Sequence, residues 1–389
     1  MDHEAATEPA LRRGGRCRRI AALAVAAAAV GTAALTGCTP LGKPATRQTP
    51  AAPRVFDSSD PAVLVVGSTS YLFGSSNNKK VPVRAVASFS GSLAASKAEW
   101  DGMASPAAKA DAMPTRPAWV NPARFNGTWQ IWAPSPVKIG STYYLYFAAS
   151  RSGATELSND QCIGRASSST PAGPYTPSSA PLYCGLSKEA GSNPWGRGAL
   201  DPEVFRAADG RLYLLVSLSR TEDPIAVVPL TSTGVVSGGV NAKATVLVGR
   251  TRPWQDGSDD SALTRTGTLE NPSMIYEPKT KTYLLFYSAG DWRTAYYNTG
   301  FARCASPTGP CTAQADGPFL KSGNGRAGVG GLTAFRTSDG VARVAYASWK
   351  LGSENQPSPD GSLSRQTHWS RLVVSNTADA GSQTVRLAE

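Results

Sequence analysis

The sequence predicts an all-β protein folded as a five-bladed β-propeller. One motif occurs five times, beginning at residues 60, 133, 201, 271 and 331. Between these points, short runs rich in β-branched and aromatic residues alternate with clusters of Gly, Pro, Ser and Asp, which is typical of strands and turns. No stretch after the N-terminal region shows sustained helical periodicity of apolar residues. A repeat of about 40–70 residues that carries four strands indicates a propeller blade.

Each copy of the motif begins with a short strand, turns, and enters a second strand that is rich in aromatic residues. The clearest copy begins at Asp201-Pro202, turns at Asp209-Gly210 and continues into the strand from Leu212. In the first four copies the second-strand Tyr follows the Pro by 10 or 11 residues. In a propeller the first strand of each blade faces the central channel. The first residues of the five copies are therefore predicted to converge on one axis.

Composition supports a single large domain and excludes one class of partner. The chain has 389 residues, 41% hydrophobic residues, 38 Gly and 29 Pro, which suits a turn-rich β fold with a packed core. The net charge is +11, but the positive residues are scattered and no basic run contains interleaved aromatics. We therefore expect no nucleic-acid partner. The chain is also expected to be a monomer.

The N-terminus reads as a targeting signal. Arg12–Arg19 form a basic region and Ile20–Leu35 an Ala-rich apolar core, which ends in Leu35-Thr36-Gly37-Cys38. This pattern resembles a bacterial lipoprotein signal at residues 1–37, with lipid attached to Cys38 as a membrane anchor. A secretory signal with a chance Cys is the alternative. Residues 38–56 are expected to be a flexible tether and residues 57–389 the propeller, on the extracellular face of a bacterial membrane or secreted.

Four cysteines remain outside this N-terminal region: Cys162, Cys184, Cys304 and Cys311. Four cysteines allow three pairings, and the local pairs 162–184 and 304–311 are favoured because each brackets a similar Pro- and Gly-containing turn. A metal site is the competing interpretation. It is disfavoured because there is no CxxC spacing and only one His follows residue 38, His368. We therefore predict two structural disulfides and no metal ligands.

Three carboxylates are the candidates for chemistry: Asp60, Asp201 and Glu270. They lie at equivalent first-strand positions of three blades, so they are predicted to meet at the central channel. Glycosidic bonds are cleaved by a carboxylic acid that protonates the leaving oxygen and a second carboxylate across from it. A third carboxylate can raise the pKa of the acid. An Asp before Pro is also common as a turn residue, but three in register in separate blades favour the chemical interpretation.

At these residues the chain resembles glycoside hydrolase family 43, which belongs to the clan of five-bladed propeller enzymes that act on arabinose- and xylose-containing glycans. The resemblance covers roughly residues 57 to 375. It is carried by Asp60-Pro61, Trp132-Ala133-Pro134, Asp201-Pro202 and Glu270-Asn271-Pro272. It implies that Asp60 is the general base, Asp201 the modulator of pKa and Glu270 the general acid. It also implies inversion, with the acid and base about 6.5–9.5 Å apart.

The sequence departs from this family pattern in the fifth blade. The family has a His there that faces the channel and is often tied to a metal or water. The matching stretch, Arg326–Gly331, contains no His. This argues against a central calcium ion, and no cofactor is predicted to be required. His368 comes too late to replace it and is expected to be a satisfied or surface imidazole. Asp57 lies close enough to Asp60 to be an alternative base, although only Asp60 precedes a Pro.

Sugar rings stack on aromatic side chains, so four tryptophans are candidate platforms: Trp132, Trp195, Trp292 and Trp349. Trp132 and Trp292 are favoured because they lie within or just after first-strand motifs, but packing between blades is an equal alternative. Arg371 is the predicted match for a family arginine near the substrate. The stretch from Gly323 to Gly328 spells GxGxxG, but no βαβ unit surrounds it, so a loop is predicted there.

These observations predict an exported, lipid-anchored glycosidase. An arabinan or arabinofuranoside substrate is the first choice and a β-xyloside the second. One alternative is a non-catalytic glycan-binding propeller, for which the missing fifth-blade His is the main argument. A second is a fructan-active relative, against which Ser59 counts because Asn would be expected before Asp60.

Overall fold

The computed structural model describes most of the chain from residue 59 onward. The described residues are 59–76, 80–86, 110–123, 128–152, 160–185, 197–219, 223–256, 268–315, 317–352, 354, 365–375 and 384–388. The predicted signal and tether with Cys38, and also Asp57 and Trp195, lie outside them. In the described part, no helix is long and apolar enough to span a membrane.

The described chain forms five four-stranded antiparallel units, as the sequence predicts for a five-bladed propeller. The first unit contains β1 (Ala62–Val66), β2 (Thr69–Phe73), β3 (Pro82–Val86) and β4 (Ala110–Asp111). The second contains β5 (Trp132–Ile139), β6 (Thr142–Ser150), β7 (Asp160–Ser168) and β8 (Thr176–Pro177). The third contains β9 (Arg197–Arg206), β10 (Leu212–Ser219), β11 (Ile225–Leu230) and β12 (Thr245–Val248).

The fourth and fifth units repeat this order. The fourth contains β13 (Thr268–Glu277), β14 (Thr282–Gly290), β15 (Asn298–Cys304) and β16 (Cys311–Ala313). The fifth contains β17 (Arg326–Arg336), β18 (Ala342–Lys350), β19 (Gln366–Ser375) and β20 (Thr384–Leu387). A short 3₁₀ helix, Pro253–Asp256, precedes the fourth unit. Every unit, called a blade below, comes from one contiguous run of chain.

Apolar clusters fill the spaces between neighbouring blades. The buried residues fall into five clusters, and each joins one blade to the next: first to second, second to third, third to fourth, fourth to fifth, and fifth to first. The cluster between the fifth and first blades has four buried members, against 11 to 18 in the others. This closing cluster contains Leu72, Phe335, Ala345 and Trp369. Among the described residues, the junction that closes the ring therefore has the smallest buried apolar cluster.

The five copies of the motif have the same backbone geometry at their first residue. Asp60, Ala133, Asp201 and Asn271 all have φ between 42° and 51°, and Gly331 has φ of 63°. We call these five residues the left-handed positions. For a residue with a Cβ this conformation costs about 1–2 kcal/mol, so its recurrence in four blades requires support from the surrounding fold. The first strand bulges here, because the register shifts between Trp132 and Ser135 and between Glu270 and Ser273.

A repeated hydrogen bond joins successive blades just beyond the left-handed positions. In one blade, the side chain two residues after the left-handed position is the acceptor. In the next blade, the backbone N–H three residues after the left-handed position is the donor. These bonds are Val204 N to Ser135 Oγ (3.0 Å), Met274 N to Glu203 Oε1 (2.9 Å) and Ala334 N to Ser273 Oγ (2.8 Å). At the first step the two positions hold Ala62 and Pro136. The acceptor and the donor are both missing there, so no buried group is left unsatisfied.

The second and third blades are also joined through their backbones. Strands β7 and β9 pair in parallel through Asp160 with Arg197 and Gln161 with Gly198. Both predicted disulfides are confirmed: Cys162 is bonded to Cys184 and Cys304 to Cys311. Each links the third strand of a blade to the chain in or after its fourth strand.

Candidate active site

The left-handed positions bring the predicted carboxylates together. Asp60 and Asp201 are themselves left-handed positions, and Glu270 immediately precedes a third, Asn271. Asn271 Nδ2 donates to Asp60 Oδ1 at 3.1 Å, and Asn271 N donates to Asp201 Oδ2 at 3.0 Å. Residues 60, 201 and 270 therefore form one cluster although they belong to three blades.

Asp60 is held by polar groups on both carboxylate oxygens. Ser75 Oγ donates to Oδ2 at 2.5 Å, and Asn271 Nδ2 donates to Oδ1. Burial raises the pKa of Asp60, while the bonds from Ser75 and Asn271 and the positive charge of Arg365 act in the opposite direction. These contacts favour the ionised form that a general base requires.

Asp201 is the most enclosed of the three carboxylates, with 7% of its surface exposed. Burial is the main cause that raises its pKa well above the ordinary value, and the charges of Glu270 and Asp60 raise it further. The backbone N–H of Asn271 opposes this rise. Since the charge of Glu270 raises the pKa of Asp201, the two groups do not titrate independently.

Glu270 is positioned by two hydroxyl groups. Tyr297 Oη donates to Oε1 at 2.6 Å and Thr268 Oγ1 donates to Oε2 at 3.2 Å. Burial, together with the charge of Asp60, raises the pKa of Glu270 to about 7, although the Tyr297 and Thr268 bonds and Arg365 lower it. A carboxyl group with this pKa retains its proton near neutral pH, which is what a general acid requires.

Exposure divides the three carboxylates in a way that matches different tasks. Asp60 and Glu270 are partly exposed, whereas Asp201 is buried. Asp60 and Glu270 therefore expose more surface to a bound molecule than Asp201 does. Three carboxyl groups at such short range disfavour full ionisation, so the cluster holds at least part of a proton near neutral pH.

Arg365 is the buried cation beside this cluster, and sequence reasoning missed it. Its guanidinium lies 5.1 Å from the Tyr297 ring centre and donates to Trp292 O at 2.9 Å and to Ala347 O at 2.8 Å. Its charge acts on both Asp60 and Glu270. It lies just before β19, next to residues outside the described part, and no sequence motif marks it.

Arg371, the predicted arginine of the site, lies elsewhere. It is exposed and pairs with Arg343 on β18 near the Asp339–Gly340 turn. Gly331, which lies beside Asp60, is in the middle of β17, four residues before Phe335, the β17 partner of Arg343. We therefore replace Arg371 with Arg365 as the arginine next to the carboxylates, because only Arg365 acts on Asp60 and Glu270.

Among the predicted platforms, Trp292 has the most suitable position. It is 39% exposed, stacks on Trp349 with ring centres 6.1 Å apart, and its carbonyl oxygen accepts from Arg365. Trp349 is 2% exposed and donates to Trp292 O, so it supports Trp292 from beneath. Trp132 is partly buried and packs against the cluster between the second and third blades. This packing is the alternative that the sequence left open for Trp132.

A cavity of about 150 Å³ is lined by first-strand residues of all five blades. Asp60 and Asp201 line it, and so does Glu203, whose carboxylate accepts from Met274 N. Burial raises the pKa of Glu203 to about 8, against the opposing bonds from Ser273 and Met274. Glu203 lies where the neighbouring blades have Ser135 and Ser273, so it replaces a hydroxyl in the repeated bond between blades.

The fifth blade has glycines near the place where the resemblance implies a His. A Cβ on Gly330 would lie 2.1 Å from the Tyr297 ring, and a Cβ on Gly331 would lie 3.1 Å from Asp60 Oδ1. Within the described ranges, no group of three or more His, Cys, Asp and Glu side chains could hold a metal ion. No ligand set for a central calcium ion is assigned, and no step below uses one.

Two further sequence expectations concern local structure. His368 is buried, 2.8 Å from Ser348 Oγ through Nε2, and stacks on Tyr346, as expected for a satisfied imidazole. Gly323 to Gly325 form a tight turn, as predicted, but the rest of the predicted loop, Arg326 to Gly328, already belongs to β17.

Comparison with known proteins identifies relatives of the fold and of the sequence. Residues 55–375 match the family described as Glycosyl hydrolases family 43. A thermostable family-43 glycoside hydrolase of known structure superposes with a TM-score of 0.61 at 19% identity, covering 85% of this chain and 92% of that one. An α-L-arabinanase from Cellvibrio cellulosa, complexed with arabinohexaose, superposes with a TM-score of 0.59 at 15% identity, covering 86% and 96%. These likenesses show the fold.

Curated relatives match over shorter stretches. An extracellular endo-α-(1→5)-L-arabinanase from Thermotoga petrophila is 28% identical over 193 residues, covering 46% of this chain and 36% of the relative. A probable arabinan endo-1,5-α-L-arabinosidase B from Aspergillus fumigatus is 35% identical over 86 residues, covering 22% of each chain. The matched stretches thus span about a third and a fifth of these relatives.

Proposed function

The chain belongs to family 43 of the glycosyl hydrolases, and we propose that it hydrolyses arabinofuranosyl or xylosyl linkages in glycans with inversion at the anomeric carbon. The observation that carries this proposal is the carboxylate cluster. Two partly exposed carboxylates, Asp60 and Glu270, lie with a buried third, Asp201, in one hydrogen-bonded group, and the pKa of Glu270 is raised to about 7.

Glu270 is the proposed general acid and Asp60 the proposed general base. The protonated Glu270 carboxyl gives its proton to the glycosidic oxygen, and the bond between this oxygen and the anomeric carbon breaks with its electron pair on the oxygen. A water on the opposite face of the sugar ring forms the new bond to the anomeric carbon and gives a proton to Asp60. Afterwards Glu270 is ionised and Asp60 protonated, and exchange with solvent restores both. Asp201 is the proposed modulator of the pKa of Glu270.

Arabinan is the preferred substrate and a β-xyloside the second choice. Support for arabinan comes from the names of the two curated relatives, an extracellular endo-α-(1→5)-L-arabinanase and a probable arabinan endo-1,5-α-L-arabinosidase B. The exposed Trp292 face next to Arg365 supplies a ring on which a sugar can stack. In this proposal the protein is a monomer that is exported and held at the membrane by lipid on Cys38, in keeping with the signal-like sequence before it.

The test is a panel of aryl arabinofuranosides, aryl xylosides, and linear and branched arabinan. We expect Glu270→Gln and Asp60→Asn each to lower kcat by about 10²–10⁴-fold. Glu277→Gln is the matched control. Glu277 is a buried carboxylate on β13, the strand that also carries Glu270, but it lies at the far end of that strand and forms an ion pair with Arg336. It should leave turnover unchanged.

Two further conditions belong to the same assay. Since Glu270 must be protonated, kcat/KM should fall as the pH rises through about 7. Activity should persist after dialysis against EDTA, because the mechanism uses no metal. A protein that binds these glycans but cleaves none would instead be the glycan-binding propeller suggested by the glycines of the fifth blade. Full turnover in both carboxylate variants would refute the assignment of acid and base.

A further inference from the structure

Asn271 contacts the candidate active site through its backbone and through both ends of its side chain. Its N–H donates to Asp201 Oδ2 at 3.0 Å, and its Nδ2 donates to Asp60 Oδ1 at 3.1 Å. Its Oδ1 accepts from Tyr297 Oη at 2.8 Å, and the same hydroxyl is 2.6 Å from Glu270 Oε1. A single residue thereby reaches two of the carboxylates directly and the third through one hydroxyl.

The backbone at Asn271 makes these contacts possible. Its φ of 47° turns the peptide N–H toward Asp201 while the side chain points to Asp60 and Tyr297. Asn adopts this conformation more readily than most residues with a Cβ. The corresponding residues of the second and fifth blades, Ala133 and Gly331, have no polar side chain. Asn271 is 9% exposed, so its amide makes these bonds away from bulk water.

Tyr297 has one hydroxyl proton and two acceptors. When Glu270 is ionised, the Tyr297 hydroxyl donates its hydrogen bond to Glu270 Oε1, because a hydrogen bond to a charged acceptor is the stronger one. When Glu270 is protonated, the Tyr297 hydroxyl can donate to Asn271 Oδ1 instead. The bond that Asn271 receives thus depends on the charge of Glu270, and the same amide donates to Asp60 from its other end.

We propose that Asn271 is a positioning residue that links Asp60 to Glu270 through Tyr297 and so holds the base and the acid of the reaction in register. This inference rests on the proposed function, because it deepens the assignment of that site. The charged and titratable groups that face Asp60 and Glu270 are Asp201, Arg365 and Tyr297, besides each other.

The link has a different effect on each carboxylate. The bond from Asn271 lowers the pKa of Asp60, and the bond from Tyr297 lowers the pKa of Glu270. Removing the first should therefore raise the pKa of the base and move the acidic limb of the kcat/KM profile to higher pH. Removing the second should raise the pKa of the acid and move the alkaline limb to higher pH.

Two variants separate these effects. Asn271→Gly keeps the backbone N–H to Asp201, suits the positive φ, and removes only the two side-chain bonds. Tyr297→Phe removes the hydroxyl. Each should lower kcat by roughly 10- to 100-fold, the size expected for loss of one hydrogen bond to a charged group, with little change in KM. Lys281→Gly is the matched control, because Lys281 is an exposed residue with φ of 54° in the turn between β13 and β14.

The carboxyl groups are also titrated by ¹³C NMR on protein labelled at Asp and Glu side chains, so that one readout does not depend on activity. We expect the Asp60 midpoint to rise in Asn271→Gly, the Glu270 midpoint to rise in Tyr297→Phe, and neither to move in Lys281→Gly. Unmoved midpoints and unmoved pH limbs in both site variants would overturn the proposal, even if kcat falls. If the midpoints shift in the two site variants but the wild-type protein cleaves no glycan, the link is upheld and the hydrolase assignment is rejected.

Discussion

At the scale of single residues, the site depends on how far each carboxyl group is protected from water. Asp60 and Asp201 precede prolines in the same motif, yet the first is partly exposed and bonded to Ser75, while the second is buried with a bond from a backbone N–H. Burial raises the pKa of both, but only Asp60 has the nearby charge of Arg365 to oppose the rise. Identical sequence signals therefore acquire different chemical roles.

Glu203 gives a prediction that is independent of catalysis. Its pKa is about 8 in the folded protein, above the value of about 4.3 for an unfolded Glu. Between these values the folded state keeps a proton that the unfolded state loses, so the free energy of unfolding decreases as the pH rises from about 4 to 8. Glu203→Gln cannot ionise and still offers an oxygen to Met274 N.

We therefore expect Glu203→Gln to melt at a higher temperature than the wild type at pH 8 and to differ little from it at pH 4. The measurement is thermal unfolding by circular dichroism across this range. A difference in melting temperature that stays constant with pH would show that Glu203 does not titrate as its burial indicates.

The sequence predicted the carboxylates because their spacing repeats, and it missed Arg365 and Tyr297 because theirs does not. Asp60 and Asp201 directly precede a proline and Glu270 lies two residues before Pro272, all at fixed points of a motif. Arg365 approaches the site from the start of β19 and Tyr297 from just before β15, where the chain between strands varies most. The prediction of Arg371 rests on the resemblance to a family arginine and not on a repeated spacing.

At the scale of elements, the first strands carry the site residues and, in the second to fourth blades, also the hydrogen bond to the next blade. The left-handed position directs one residue into the cluster, and the residue two places later bonds to the next blade. The sequence predicted the phase of this repeat, since the copies begin at the five left-handed positions. It did not predict the hydrogen bond between blades, because Ser135, Glu203 and Ser273 share an acceptor oxygen and not a residue type.

Ser135→Ala tests this connection. It removes the acceptor of Val204 N while keeping the size of the side chain nearly constant. The free energy of unfolding should fall by about 1–3 kcal/mol, the cost of an unsatisfied backbone donor, as measured by urea denaturation. Ala62→Ser is the comparison, since it introduces a hydroxyl opposite Pro136, which has no N–H to donate. If Ala62→Ser stabilised the protein, the pairing rule between blades would be wrong.

At the scale of the whole molecule, the five junctions between blades are unequal. The second and third blades share backbone pairing through β7 and β9. The fifth and first blades meet through the smallest apolar cluster of the described part, around Leu72 and Trp369. The number of blades could be predicted from the repeat, but the strength of each junction could not, because it depends on packing between residues far apart in the chain.

Leu72→Ala should therefore loosen one junction selectively. We expect the free energy of unfolding to fall by about 2–5 kcal/mol and amide hydrogen exchange to accelerate first in β1 and β17. Leu214→Ala is the matched control, because Leu214 is equally buried but belongs to the junction between the second and third blades. Exchange that accelerates in β1 and β17 to the same extent in both variants would contradict an unequal ring.

The placement of Asp60 gives a chemical consequence to the junction between the fifth and first blades, which has the smallest apolar cluster of the described part. Asp60 leads into β1, and Gly331 of the fifth blade lies against it, whereas Glu270 belongs to the fourth blade. A small separation at this joint would carry Asp60, the proposed base, away from Glu270, the proposed acid, while most of the strands remain intact. Warming should then abolish turnover before the ring melts, so that the enzyme loses its reaction first and its architecture only later.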